Sequence, residues 1–286
     1  MTATAPAAMP LEATPHTAKR ATAISRAVGR SLLNALLTFV IVLALWWAVV
    51  NLTGISPYVA KGPADVWEFF FTSPEAAENR AEMMQLLAQT LSDAALGFIV
   101  GMLVAIVLAL AFSLSRSVGM GVMPLALLLR SVPLVAIAPV IILITGRGTP
   151  ASVAVIGSIV VLFPALASIM FGLSRASKES LDLVHVYGGG RATQLRKVNV
   201  PGALPSLFAA ARVSVPGAVT GALLAEWLST GQGIGGMIQK FSASARFDEL
   251  WASVALITIV TLLLYNLVQI AENIVLARMG MTTSAR

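Results

Sequence analysis

Residues 90–112 read TLSDAALGFIVGMLVAIVLALAF, and Asp93 is the only charged residue among them. A hydrocarbon core of roughly 30 Å is crossed by about 20 apolar residues in a helix, so this stretch reads as a membrane span. Working outward, stretches of similar length and character occupy about 32–52, 122–144, 151–173, 204–228 and 250–276. Arg130, Pro133 and Pro139 interrupt the run at 122–144. The fold class expected is therefore all-α: a polytopic membrane protein with six transmembrane helices.

Composition points the same way. Hydrophobic residues make up 57% of the 286 and charged residues 11%, with a mean hydropathy of +0.86. Soluble domains carry about 25% charged residues, so water-facing surface could not be covered here and the lipid bilayer must cover it. The net charge of +6 does not imply nucleic acid, because the basic residues sit between apolar runs and form no stripe with aromatics. Cysteine is absent, which excludes disulfides and thiol chemistry. His16 and His185 are the only histidines and have no second ligand at useful spacing, so no metal site, cofactor or catalytic residue is expected.

The ends and the connections fix the organisation. Residues 1–30 are rich in Ala, Thr and Pro and read as a disordered cytoplasmic tail. Residues 31–280 form the membrane domain. The run at 32–52 is too long for a signal-peptide core and no small-residue cleavage site follows it, so it reads as a retained anchor. With the N-terminus inside, the inner segments hold Lys19, Arg20, Arg26, Arg30, Arg116, Arg175, Lys178, Arg191, Arg196, Lys197, Arg278 and Arg286. The outer segments hold only Lys61, Arg80, Arg147, Lys240 and Arg246. Positive charge favours the cytoplasmic side, so both termini are expected there, in a multi-pass protein of the cell membrane.

The longest interior cytoplasmic segment, 174–203, reads SRASKESLDLVHVYGGGRATQLRKVNVPGA. Two helix-like pieces flank three glycines, which permit a sharp turn or the close approach of a partner. On physical grounds alone it could be an ordinary loop held inside by its charges. A phosphate-binding loop is excluded by the missing Gly-x-x-x-x-Gly-Lys-Ser/Thr spacing.

Asp182-Leu183-Val184, then Gly188-Gly189, then Val200-Pro201 resembles the EAA loop of permeases in binding-protein-dependent ABC importers, with Asp182 in place of the Glu and Leu183 and Val184 in place of the alanines. Three further stretches resemble the sulfonate, taurine and nitrate branch of that family. They are Arg130-Ser-Val-Pro-Leu-Val-Ala-Ile-Ala-Pro139, the Gly146/Gly148 turn, and Arg212…Glu226…Gly231-Gln-Gly-Ile-Gly235. The resemblance covers roughly 46–277. It implies a type I importer permease fold, with two copies of the chain lining one path. It also implies two copies of a cytoplasmic ATP-binding subunit and an extracytoplasmic solute-binding protein. Asp182, His185, Gly188, Gly189, Arg191 and Pro201 would then couple to the ATPase. Solutes of that branch are organic sulfonates, taurine, nitrate or bicarbonate, and thiamine-precursor pyrimidines.

Charges within spans must face protein or water, since one at the bilayer centre costs on the order of 3 kcal/mol. Glu226 could pair with Arg212 or Arg130, or it could line the translocation path or gate together with them. Pro216, beside Gly217, marks a possible bend in the same span. The competing class is a secondary transporter or channel without an ATPase, which would couple ions through midplane acids and often shows internal repeats. No repeat is visible between the halves. A membrane enzyme lacks its nucleophile and base.

Overall fold

A computed structural model of the chain describes residues 37, 39–115 and 133–279. The expected tail, Arg130 and the first part of the span at 122–144 lie outside the described residues. Among those residues all regular structure is helical. The chain falls into two compact units, divided after Pro63. The first contains α1 (Phe39–Leu52), where the Trp46 indole N–H donates to the Lys61 carbonyl at 3.1 Å.

The second unit begins within α2 (Pro63–Trp67) and holds four helices long and apolar enough to cross a membrane. They are α3 (Ala76–Leu114), α5 (Pro150–Ser174), α7 (Arg191–Thr230) and α9 (Phe247–Arg278). Between them lie α4 (Leu134–Thr145), α6 (Lys178–Val186) and α8 (Gly233–Ala243). The four long helices coincide with four of the expected spans. Ile99, Leu103 and Val107 on α3, and Leu262, Leu263, Leu267 and Ile270 on α9, are exposed apolar residues. Such faces are what a lipid solvent allows, because helices satisfy their own backbone groups.

Two of these helices extend well past the apolar runs. α3 is 39 residues long, and its first turns cover part of the stretch 53–89 that separates the first two expected spans. Met83 and Leu87 are buried there, Met83 against Phe69, Phe70 and Phe241. Packing of one face therefore carries the helix beyond the membrane-length run. α7 starts at Arg191 and continues through Pro201. Proline has no N–H to give and clashes with the preceding turn. A π-helical turn over Leu195–Asn199, just ahead of it, accommodates that fault within an unbroken helix.

The bundle centre is a crossing of backbones. Side chains cannot be squeezed out of the way here, because there are none. A Cβ at Gly97 or at Gly221 would lie 2.8 Å from the Cα of Gly157. Gly101 meets Val161 one turn further along, so α3 and α5 run parallel. Gly172 meets Ser206 at the far end, so α5 and α7 run antiparallel. Small residues at such points let membrane helices approach closely enough for dispersion forces to hold them.

Gly157→Leu should therefore force α3 and α7 off α5, a packing fault of about 1–3 kcal/mol or more. We expect a melting temperature in detergent several degrees lower, with loss of a monodisperse elution peak. Gly202→Ala, whose methyl meets nothing within 4 Å, should change neither. An unaltered melting temperature in Gly157→Leu would contradict the crossing.

Candidate functional site

The segment at 174–203 folds as a short helix presented on a brace. α6 begins at Ser177, whose hydroxyl accepts from the Ser180 N–H at 3.2 Å, an N-cap. It ends in a Schellman motif. The Gly188 N–H donates to the His185 carbonyl at 2.9 Å and the Gly189 N–H to the Val184 carbonyl at 2.8 Å. Gly188 takes φ +80°, the left-handed value that this motif needs. At Gly189 any Cβ would run into Val184.

Side-chain amides tie α6 to its neighbours. Gln194 Nε2 donates to the Leu181 carbonyl at 3.1 Å, linking α7 back to α6. Asn199 Nδ2 donates to the Leu173 carbonyl at 2.8 Å, linking α7 to the end of α5. A cavity of about 310 Å³ opens beside them, where the C-terminal ends of α3 and α5 meet Leu181 and Asn199.

What α6 shows to the outside is apolar. Leu183, Val186 and Tyr187 are 59%, 82% and 84% exposed, on a nine-residue helix that buries none of its residues. Asp182, His185 and Arg191 are exposed around them. Nothing in the chain's own packing calls for three large apolar side chains here. The arrangement is that of a docking knob, apolar with a polar rim.

The second cluster is closed. Glu226 is 0% exposed and begins a π-helical turn, Glu226–Thr230, at the end of α7. Gly231, at φ +66°, reverses the chain so that α8 folds back on α7. Its N–H donates to the Glu226 carbonyl at 2.7 Å. Glu226 Oε2 then accepts from the Gly235 N–H at 2.8 Å and from Thr90 Oγ1 at 3.0 Å. Thr90 Oγ1 accepts in turn from the Ile234 N–H at 2.9 Å. Glu226 and Thr90 thus jointly cap the N-terminus of α8, where the helix dipole favours a negative charge. Gly235 and Gly236 press on the backbones of Leu223 and Gly231, and a Cβ at Gly233 would strike the Glu226 carboxyl. The glycines are spaced for contact. A further link runs from the end of α7 to α5: Ser229 Oγ bonds Ser152 Oγ at 2.8 Å and accepts from the Gly148 N–H at 2.9 Å.

Glu226 and Arg212 are not paired. They stand 14 positions apart on α7, roughly 21 Å along the axis. Arg212 instead faces Glu272 of α9 at 3.5 Å and lies over the Tyr265 ring at 5.8 Å. Pro216 sits on the exposed face of α7. Arg130 is outside the described residues. Thr90, which donates to Glu226, carries no mark in the sequence as its partner, whereas Gly233 and Gly235 fall within the glycine pattern that follows Glu226. Asp93, like Glu226 itself, was legible as a charge within a span.

Comparison with known proteins places the chain among transport components. Residues 97–281 match the family described as "Binding-protein-dependent transport system inner membrane component". A probable ABC transporter permease protein of Haemophilus influenzae is 29% identical over 82% of this chain and 93% of its own length. The riboflavin transport system permease protein RibX of Chloroflexus aurantiacus is 30% identical over 83% of this chain and 87% of its own. The taurine transport system permease protein TauC of Escherichia coli is 27% identical, covering 79% and 82%.

Proposed function

This chain belongs to the family of binding-protein-dependent transport system inner membrane components, and from that premise we propose how it works. It is a multi-pass permease subunit of an ABC importer and not an enzyme. Membership implies a separate ATPase and a solute-binding protein as partners.

In our reading α6 is the coupling helix. The observation that carries this is its apolar crown of Leu183, Val186 and Tyr187, exposed on an element braced to α5 and α7. A nucleotide-driven movement of the ATPase applied to α6 would pass through Gln194 and Asn199 into the ends of α7 and α5. Asp182, His185 and Arg191 rim the contact, Gly188 and Gly189 shape it, and Pro201 lies just beyond the π-helical turn. Two ATPase copies would act on two copies of this chain, whose facing surfaces line the path.

The path-lining role expected of Glu226 changes in this account. A fully buried carboxylate presents no surface to a solute, so we assign it to holding the α8 turn, a candidate gate element. Arg212, held by Glu272 and Tyr265, joins α7 to α9, and Pro216 faces outward from α7.

The solute is a small molecule handed over by the binding protein. The relatives named above carry the names of riboflavin and taurine transport, molecules of very different size and charge. Similar permeases paired with such different solutes support selectivity residing in the binding protein. A secondary transporter is not favoured, because dependence on a binding protein defines the family.

Val186→Asp and Tyr187→Ala should reduce co-purification of the ATP-binding subunit, and ATP-driven uptake, by tenfold or more, on the order of the ≥1.4 kcal/mol that an interface anchor contributes. Both should leave the amount of chain in the membrane unchanged. Undiminished co-purification and uptake in both variants would discard α6 as the docking element.

Orientation is open to a direct check, because the chain has no cysteine. Ser180→Cys on α6 should react with a membrane-impermeant thiol reagent in inside-out vesicles and stay unlabelled in intact cells. Labelling in intact cells would reverse the proposed topology.

A further inference from the structure

Two carboxyls meet inside the bundle with no described cation to neutralise them. Asp93 lies on α3 one turn beyond Thr90 and is 8% exposed, while Glu226 is 0% exposed. Thr90 donates to Glu226 at 3.0 Å, and Asp93 follows Thr90 by one turn on the same face of α3, which sets the two carboxyls beside each other. One oxygen of each is served: Asp93 Oδ1 accepts from Gln89 Nε2 at 3.2 Å, and Glu226 Oε2 accepts from Gly235 and Thr90. The other two, Asp93 Oδ2 and Glu226 Oε1, are buried and have no donor.

An ionised carboxyl can only accept. Two ionised carboxyls side by side would leave two acceptors facing one another in a hydrocarbon-like interior, where like charges cannot both persist. One donor is missing.

We propose that Asp93 and Glu226 bind a single proton between them, giving a carboxyl–carboxylate pair that carries one negative charge. The proton supplies the absent donor. The remaining charge is met by the N-terminus of α8 through the Gly235 N–H, and by Thr90.

A metal ion fits this site poorly. Hard cations take six or more oxygens at about 2.0–2.6 Å. Here two oxygens are free, the Thr90 hydroxyl is committed to Ile234, and Gly233 closes directly over Glu226 Oε1. The described residues hold no group of three His, Cys, Asp or Glu side chains able to share an ion.

The elements packed around the pair bring no further described titratable group. α3 supplies Gln89 and Thr90. α8 supplies backbone N–H groups. α9 meets this region through Ile257 and its apolar neighbours, while its acid Glu272 is engaged by Arg212. The bound proton therefore fastens the end of α7 to α3, beneath the N-terminus of α8 that Glu226 caps, and its loss would set two like charges against each other there.

Infrared spectroscopy of the full chain in lipid nanodiscs at neutral pH tests this. The wild type should show a protonated carboxyl C=O band that moves in D₂O. The band should vanish in Asp93→Asn and in Glu226→Gln, each of which replaces the shared proton with an amide donor of the same shape. It should persist in Glu272→Gln. Carboxyl-labelled ¹³C-Asp or ¹³C-Glu, introduced without any substitution, should each shift it and decides the matter if a variant fails to fold. No such band in the wild type, or a band that ignores both labels, would overturn the proposal. So would a melting temperature that rises with sodium but not with choline, which would make the ligand a metal ion.

Discussion

The contact of Gly97 and Gly221 with the Cα of Gly157 is the constraint on which the rest of this bundle depends. In lipid the hydrophobic effect does not drive helices together, so close backbone approach must supply the attraction. Once α3, α5 and α7 touch there, their directions are fixed. The C-terminal ends of α3 and α5 then come out beside the first turns of α7, and the short α6 is suspended between α5 and α7. The other end of the same crossing brings Thr90 of α3 up to Glu226 of α7. Both functional regions are thus consequences of one contact.

The two regions differ in the physics that shapes them. α6 is held by amide-to-carbonyl bonds and a glycine cap, while its apolar side chains are left outward. That surface is costly in water and makes sense when another protein covers it. The Glu226 cluster is the reverse, a polar knot sealed from both water and lipid. Buried polar groups are tolerated only when nearly all of their bonding capacity is used, and here α8 folds back to provide the donors.

Much of the architecture was legible in the chain, for particular reasons. The run at 90–112 and its counterparts at 151–173, 204–228 and 250–276 announce themselves because lipid demands uninterrupted apolar length. The sharp turn within 174–203 was legible because Gly188 and Gly189 occupy positions where a cap geometry and a close contact with Val184 leave no room for another residue. The helical extension of α3 before Thr90 was not, since burial of Met83 against Phe69 and Phe241 is a tertiary event that hydropathy cannot register. Nor was α8, where Gly233, Gly235 and Gly236 serve as points of close contact. Glu226 drew attention as a charge in a span. Pairing by charge offered Arg212 or Arg130; Arg212 is engaged by Glu272, Arg130 lies outside the described residues, and the described partners of the Glu226 carboxyl are the Gly235 N–H and Thr90.

The central claim is that this permease works only as part of an assembly with an ATPase and a solute-binding protein. It is tested most directly by capturing the tagged chain from its native membrane in mild detergent and identifying what comes with it by mass spectrometry. The account predicts recovery of an ATP-binding subunit together with an extracytoplasmic solute-binding protein, whose ligand could then be screened. Recovery of the chain alone, with the α6 segment intact, would contradict it.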